Sequence, residues 1–157
     1  MAIFLIDFDG TVVPKLPENG YSEFDTGAER VLKRILSSGH QLVLWTCRNR
    51  SRNNPFNYIG GRYRNELSLD EAKRWFRERE IPLLGVNDVP GEEDQVGSSR
   101  KAIGDFLIDD TAIGVPLRWC DNISYVSYNT GEISVIQSYF VDWSIIETML
   151  LQQGIIF

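Results

Sequence analysis

The chain has 157 residues, 43% of them hydrophobic and 24% charged, and a formal net charge of −6. That length suits a single domain, 1–157, with a core of its own, and the negative charge argues against wide coverage of a nucleic-acid backbone. No apolar stretch could span a bilayer and the first apolar run is too short for a signal peptide, so a cytoplasmic protein with no membrane partner is expected.

The first element is Ile3-Phe4-Leu5-Ile6, an apolar run without alternation, as in a strand buried on both faces of a parallel sheet. It runs directly into Asp7-Phe8-Asp9-Gly10-Thr11. Gly10 permits a turn, which puts Asp7 and Asp9 at the carboxyl edge of the strand, where open α/β sheets form their ligand crevice. Two acids so close repel each other unless a cation lies between them. Oxygen ligands without Cys or His nearby suit Mg²⁺ better than zinc. The competing reading is an acidic turn that closes the strand.

Pro14, Pro17 and Gly20 rule out a long helix over 12–25 and suggest a loop or small flap. Thr26-Gly27-Ala28-Glu29 has capping-box spacing, and Ala28, Val31, Leu32, Ile35 and Leu36 share one face of the helix that follows, with Gly39 as its stop. Gln41-Leu42-Val43-Leu44-Trp45 reads as a second buried strand ending in Thr46-Cys47-Arg48. A strand, helix, strand unit of this length predicts a parallel crossover.

From Asn49 to Asn65 the chain carries Arg50, Arg52, Arg62 and Arg64 among Phe56, Tyr58 and Tyr63, with no acidic residue. A second capping box, Ser68 to Glu71, opens a helix with Leu69, Ala72, Trp75 and Phe76 as its stripe. Leu83-Leu84-Gly85-Val86 predicts a third strand, and an acidic loop follows at 91–94. Phe106-Leu107-Ile108 ends in Asp109-Asp110-Thr111, repeating the pattern of the first strand. Over 121–157, runs 123–128 and 132–137 flank Asn129-Thr130-Gly131 as a hairpin. Asp142 then caps a last helix, with Ile145, Ile146, Met149 and Leu150 facing inward and Gly154 as its end. Trp45, Trp75, Trp119 and Trp143 are expected in the core. His40, between a helix stop and a strand, reads as a turn residue. The two cysteines, Cys47 and Cys120, are too few for a disulfide framework, and Cys47 has no nearby histidine to support thiol catalysis.

Polar groups thus stand at the ends of several apolar strands or just ahead of one: Asp7 and Asp9, Thr46, Lys101, and Asp109 with Asp110. In this order they resemble the four motifs of the haloacid dehalogenase (HAD) superfamily, over Ile3 to about Gly114. The spacing from Ser99-Arg100-Lys101 to Asp109-Asp110 also resembles a group of short, capless bacterial members. The resemblance implies an α/β fold, a Rossmannoid three-layer sandwich with a central parallel sheet, here extended by the C-terminal hairpin and helix. It implies a Mg²⁺-dependent phosphomonoesterase with an aspartyl-phosphate intermediate: Asp7 as nucleophile, Asp9 as general acid and base, and Thr46 and Lys101 on the phosphoryl group. Cys47 and Arg48 would lie beside Thr46 at the substrate. The metal ligands implied are the Asp7 carboxylate, the Asp9 backbone carbonyl and one acid of the last pair. Asp110 is favoured as that ligand and Asp109 as its neighbour, with the reverse order open.

The general acid at Asp9 favours phosphoryl chemistry over carbon–halogen cleavage. The stretch 12–25 is too short for an inserted cap domain, so the phosphorylated substrate is expected to be large or exposed. The arginine-rich segment hints at a nucleotide-like substrate, and its plainer reading is a solvated basic loop. Two alternatives stand beside the phosphatase. One is a nucleic-acid 3′-end phosphatase, weakened by Thr111 where that group has an arginine. The other is a Mg²⁺-binding scaffold without turnover, which would have no need of Asp9 as an acid.

Overall fold

The computed structural model of the chain describes residues 1–17, 20–48, 58–59, 62–63, 69–88, 104–128 and 130–157. Expectations about Ser68, the acidic loop at 91–94 and Lys101 lie outside the described residues. The architecture is a Rossmann-like α/β sandwich built on a parallel sheet of β1 (Ile3–Ile6), β3 (Gln41–Leu44), β6 (Gly85–Val86) and β7 (Phe106–Ile108). The strand order is β6-β3-β1-β7. β1 pairs with β3 at Ile6↔Leu44 and with β7 at Ile6↔Ile108, so three apolar runs end level with one another. That register delivers their polar followers to one edge.

Strand alternation divides the sheet's side chains. Phe4, Ile6, Leu42, Leu44 and Ile108 join the main core, while Leu5 and Val43 form a small second cluster on the other face. The main core takes Val31, Leu32 and Ile35 from α1 (Ala28–Ser37), Leu69, Ala72 and Phe76 from α2 (Leu69–Glu78), and Trp143, Ile146 and Leu150 from α3 (Trp143–Gln152). Each of the Val, Leu, Ile and Phe side chains among them contributes about 1.5–3 kcal/mol when fully buried. Among the described residues no helix is long and apolar enough to cross a membrane.

The C-terminal part is a three-stranded antiparallel sheet of β2 (Gly20–Tyr21), β8 (Leu117–Ser127) and β9 (Ile133–Val141), in the order β2-β8-β9. The expected hairpin is present with longer strands, interrupted by an irregularity between Cys120 and Ile123. The expected flap supplies β2, which pairs with Val126 and Ser127. A further short antiparallel pair joins β4 (Tyr58–Ile59) to β5 (Arg62–Tyr63).

Three local expectations are corrected. The first capping box does not close: Gly27 is the N-cap of α1, and the Thr26 hydroxyl donates to the Val12 carbonyl at 2.6 Å and accepts the Ala28 N–H at 3.3 Å. Glu29 turns outward instead, to Lys33 at 2.7 Å. In α3, capped by Asp142 as expected, Ile145 and Met149 face outward, and Glu147 is buried in their place. Arg30 and Arg34 of α1 reach Glu147 at 2.5 and 3.0 Å, and their hydrogen bonds hold its pKa below the usual carboxylate value. Cross-helix ion pairing overrode periodicity there. Trp119 is no core residue, being 62% exposed on β8. His40 accepts the Ala2 N–H on Nδ1 at 3.1 Å and donates from Nε2 to the Ile155 carbonyl at 2.6 Å, a structural role.

Candidate active site

The sheet edge brings together Asp7, Asp9, Thr46, Asp109 and Asp110. Carboxylate oxygens of Asp7, Asp109 and Asp110 lie within 4.8 Å of one another, the one such group among the described residues. Thr11 joins the first strand's loop to the fourth: its hydroxyl donates to Asp7 Oδ2 and accepts the Asp110 N–H, both at 3.0 Å. Asp109 Oδ1 accepts from the Thr111 N–H at 2.8 Å and from its hydroxyl at 2.7 Å. Gly10, at φ +82°, is obligatory here, because a Cβ would stand 2.5 Å from Asp110 Oδ2.

Burial among other acids has an electrostatic consequence. Desolvation, with Asp109 and Asp110 adding repulsion, outweighs the Phe8 amide and Thr11 and pushes the Asp7 pKa up to about 7. Three hard oxygen donors converging from two strand ends are the donor set that a magnesium ion takes, so the residues fit the implied metal. The Asp7 carboxylate, the Asp9 carbonyl and the Asp109–Asp110 pair are the groups that would hold it.

Asp9 faces a different partner. The Arg48 guanidinium grips it at two points, Nε to Oδ2 at 2.8 Å and Nη2 to Oδ1 at 2.7 Å, and also reaches Glu71 at 3.3 Å. The Arg48 side chain is only 6% exposed and lies 4.6 Å over the Phe8 ring. Arg48, expected beside Thr46 at the substrate, thus lies at the same sheet edge and is held against Asp9 and Phe8. Glu71 continues this chain of contacts by accepting the Tyr128 hydroxyl at 2.6 Å.

Thr46 is buried, and its hydroxyl accepts the Arg48 N–H at 3.2 Å, which leaves its own proton to donate. Asn87 positions it through a reciprocal pair, accepting the Thr46 N–H at 2.7 Å and donating to its carbonyl at 2.9 Å. The backbone of Asn87 is left-handed, at φ 54°, a conformation Asn tolerates. Cys47 is exposed beside it. Lys101 lies outside the described residues, as do Arg50, Arg52 and Arg64.

Two residues absent from the motif reading, Lys15 and Tyr139, also reach the acids. Lys15 Nζ lies 3.3 Å from Asp110 Oδ2 and 3.4 Å from the Asp9 carbonyl. The Tyr139 hydroxyl donates to the same Asp110 oxygen at 3.0 Å. Burial works against the ammonium, yet Asp110 outweighs it and holds the Lys15 pKa above its ordinary value. β9 places both groups: the Lys15 N–H donates to the Tyr139 carbonyl at 2.8 Å, the Ser138 hydroxyl donates to the Lys15 carbonyl, and the Val141 N–H donates to the Gly10 carbonyl at 3.0 Å. A lysine just after the acid motif was a visible signal. Tyr139, some 130 residues away, gave none.

No family model matches this chain, and no curated protein matches it. The chain is similar to a solved structure from Bacteroides thetaiotaomicron described as that of a conserved protein, with 26% identity and a TM-score of 0.56. The likeness covers 97% of this chain and 91% of that one, so the C-terminal sheet and helix belong to the shared architecture.

Proposed function

We propose that this chain is a divalent-cation-dependent phosphomonoesterase of the haloacid dehalogenase type, acting through an aspartyl-phosphate. The observation that carries the proposal is the meeting of Asp7, Asp9, Thr46, Asp109 and Asp110 at one edge of a parallel sheet, with three carboxylates within 4.8 Å. In the first step an Asp7 oxygen forms a bond to phosphorus as the bond to the leaving oxygen breaks, and Asp9 gives that oxygen its proton. In the second, Asp9 takes a proton from water, whose oxygen bonds to phosphorus, releasing phosphate and restoring the Asp7 carboxylate. The Thr46 hydroxyl donates to a phosphoryl oxygen, and Lys101 is assigned by resemblance to the same charge. Magnesium, when bound, neutralises charge between Asp7 and the phosphoryl group.

The acid step requires Asp9 to carry a proton, so its two-point pair with Arg48 must open. An anionic substrate oxygen competing for the guanidinium would open it. The same pair favours a second reading, a cation-binding scaffold in which Arg48 never releases Asp9.

A screen with a generic aryl phosphate, mononucleotides, sugar phosphates and 3′-phosphorylated oligonucleotides, with and without Mg²⁺, tests the proposal. The expected result is Mg²⁺-dependent release of phosphate that Asp7→Asn abolishes. Turnover that survives Asp7→Asn overturns the nucleophile assignment. Release from oligonucleotides alone selects the 3′-end reading, and Mg²⁺ binding without any release selects the scaffold. A cytoplasmic setting and a phosphorylated substrate, with nucleotides among the candidates, belong to this same proposal.

A further inference from the structure

We infer that Lys15 is a built-in competitor for the site's divalent cation, its ammonium seated on two of the oxygens that the ion would take. The inference rests on the proposed metal-dependent function and adds to it a residue that sets how tightly the ion is held. Lys15 Nζ lies 3.4 Å from the Asp9 carbonyl and 3.3 Å from Asp110 Oδ2. Those are two of the groups named as ligands, joined by a single positive charge.

The surroundings let this charge leave without disturbing the cradle. The Lys15 side chain is 44% exposed, whereas that of Asp110 is 2% exposed, so the ammonium has a path to water and the carboxylate has none. The Lys15 backbone is fixed at both its N–H and its carbonyl by β9, so release is a matter of side-chain rotation alone. A freed lysine regains rotamer entropy. Tyr139 holds Asp110 Oδ2 through a separate hydrogen bond, which would maintain the carboxylate's aim through the exchange.

Competition and simple electrostatics point the same way. Removing one positive charge beside a divalent ion strengthens that ion's binding, and vacating its donors strengthens it further. Lys15→Met keeps the aliphatic stem that packs near Gly10 and removes the charge. Lys15→Arg keeps the charge.

The test is binding of Mn²⁺ alone, without substrate, followed by electron paramagnetic resonance and confirmed with Mg²⁺ by titration calorimetry. Lys15→Met is expected to bind at least about tenfold tighter than the wild type, and Lys15→Arg no tighter. Thermal melts confirm that each variant is folded, and added Mg²⁺ is expected to raise the melting temperature of Lys15→Met more than that of the wild type. Binding by Lys15→Met where the wild type shows none also supports the inference. Equal or weaker binding by Lys15→Met, or tighter binding by Lys15→Arg, overturns it and leaves the metal reading standing. Absence of binding in all three chains overturns both. Adding Asp7→Asn to Lys15→Met must weaken the ion's binding, and unchanged affinity places the ion elsewhere and overturns the inference.

Discussion

Asp7 and Asp9 are separated by one residue and live in opposite electrostatic surroundings. Asp7 sits among acids, where burial outweighs the hydroxyl and the amide bonded to it, and its pKa is pushed up to about 7. Asp9 is gripped at two points by a buried guanidinium. Strand alternation alone would place both on one face. The partners differ because Asp7 is approached from β7, through Asp109 and Asp110, and Asp9 from the end of β3, through Arg48. The lesson is that spacing identifies a pair of acids, while the neighbouring strands decide which is crowded by like charge and which is paired with a cation.

The largest expected effect tests the Asp7 side. On the proposed mechanism Asp7→Asn should lower kcat on an aryl phosphate by roughly a thousandfold or more, because it removes the group assigned to carry the phosphoryl intermediate. Single-turnover assays with matched thermal melts separate this from misfolding. Next comes the Asp9 side. Arg48→Met leaves Asp9 and Glu71 without their buried cation and should cost roughly 3 kcal/mol, seen as a melting temperature several degrees lower. Unchanged stability would mean that the pair does not hold Asp9, and the contrast between the two acids would collapse.

A smaller effect has the opposite sign. The folded chain holds the Asp7 proton more tightly than the unfolded chain, so this group removes stability as pH rises from its ordinary 3.8 to about 7. Without divalent cation, Asp7→Asn should therefore melt higher than the wild type at pH 8, by about 1–2 kcal/mol after discounting for partial exposure, with the gap closing toward pH 4. A variant no more stable at pH 8 than at pH 4, relative to wild type, would show that Asp7 is not under strain. The smallest effect is that of Tyr139→Phe, which removes one hydrogen bond to Asp110 and should cost about 1 kcal/mol. Its use is to show whether the acid-rich side depends on β9.

Much of the parallel sheet was legible, because Ile3–Ile6, Gln41–Leu44 and Phe106–Ile108 are short apolar runs that each end in polar residues. Their ends had to meet once the strands paired in parallel. The face of α1 was legible for the same reason, since charge and apolar residues alternate along it with helical period. The sequence of α3, Trp-Ser-Ile-Ile-Glu-Thr-Met-Leu-Leu-Gln, is apolar on most sides, so period alone could not tell Ile145 from Glu147. The site's acids could be read from local pattern. The contacts of Asn87 with Thr46, Tyr139 with Asp110 and Arg48 with Asp9 could not, because each depends on which side chain a distant strand or loop brings near.

The loop that follows β1 is completed by residues far downstream: β9 bonds to Gly10 and Lys15, and the Trp143 indole donates to the Thr11 carbonyl at 2.8 Å. Contacts of such long sequence separation close slowly and late. During synthesis Asp7 and Asp9 therefore emerge well before the residues that complete the loop around them, Trp143 the last of these.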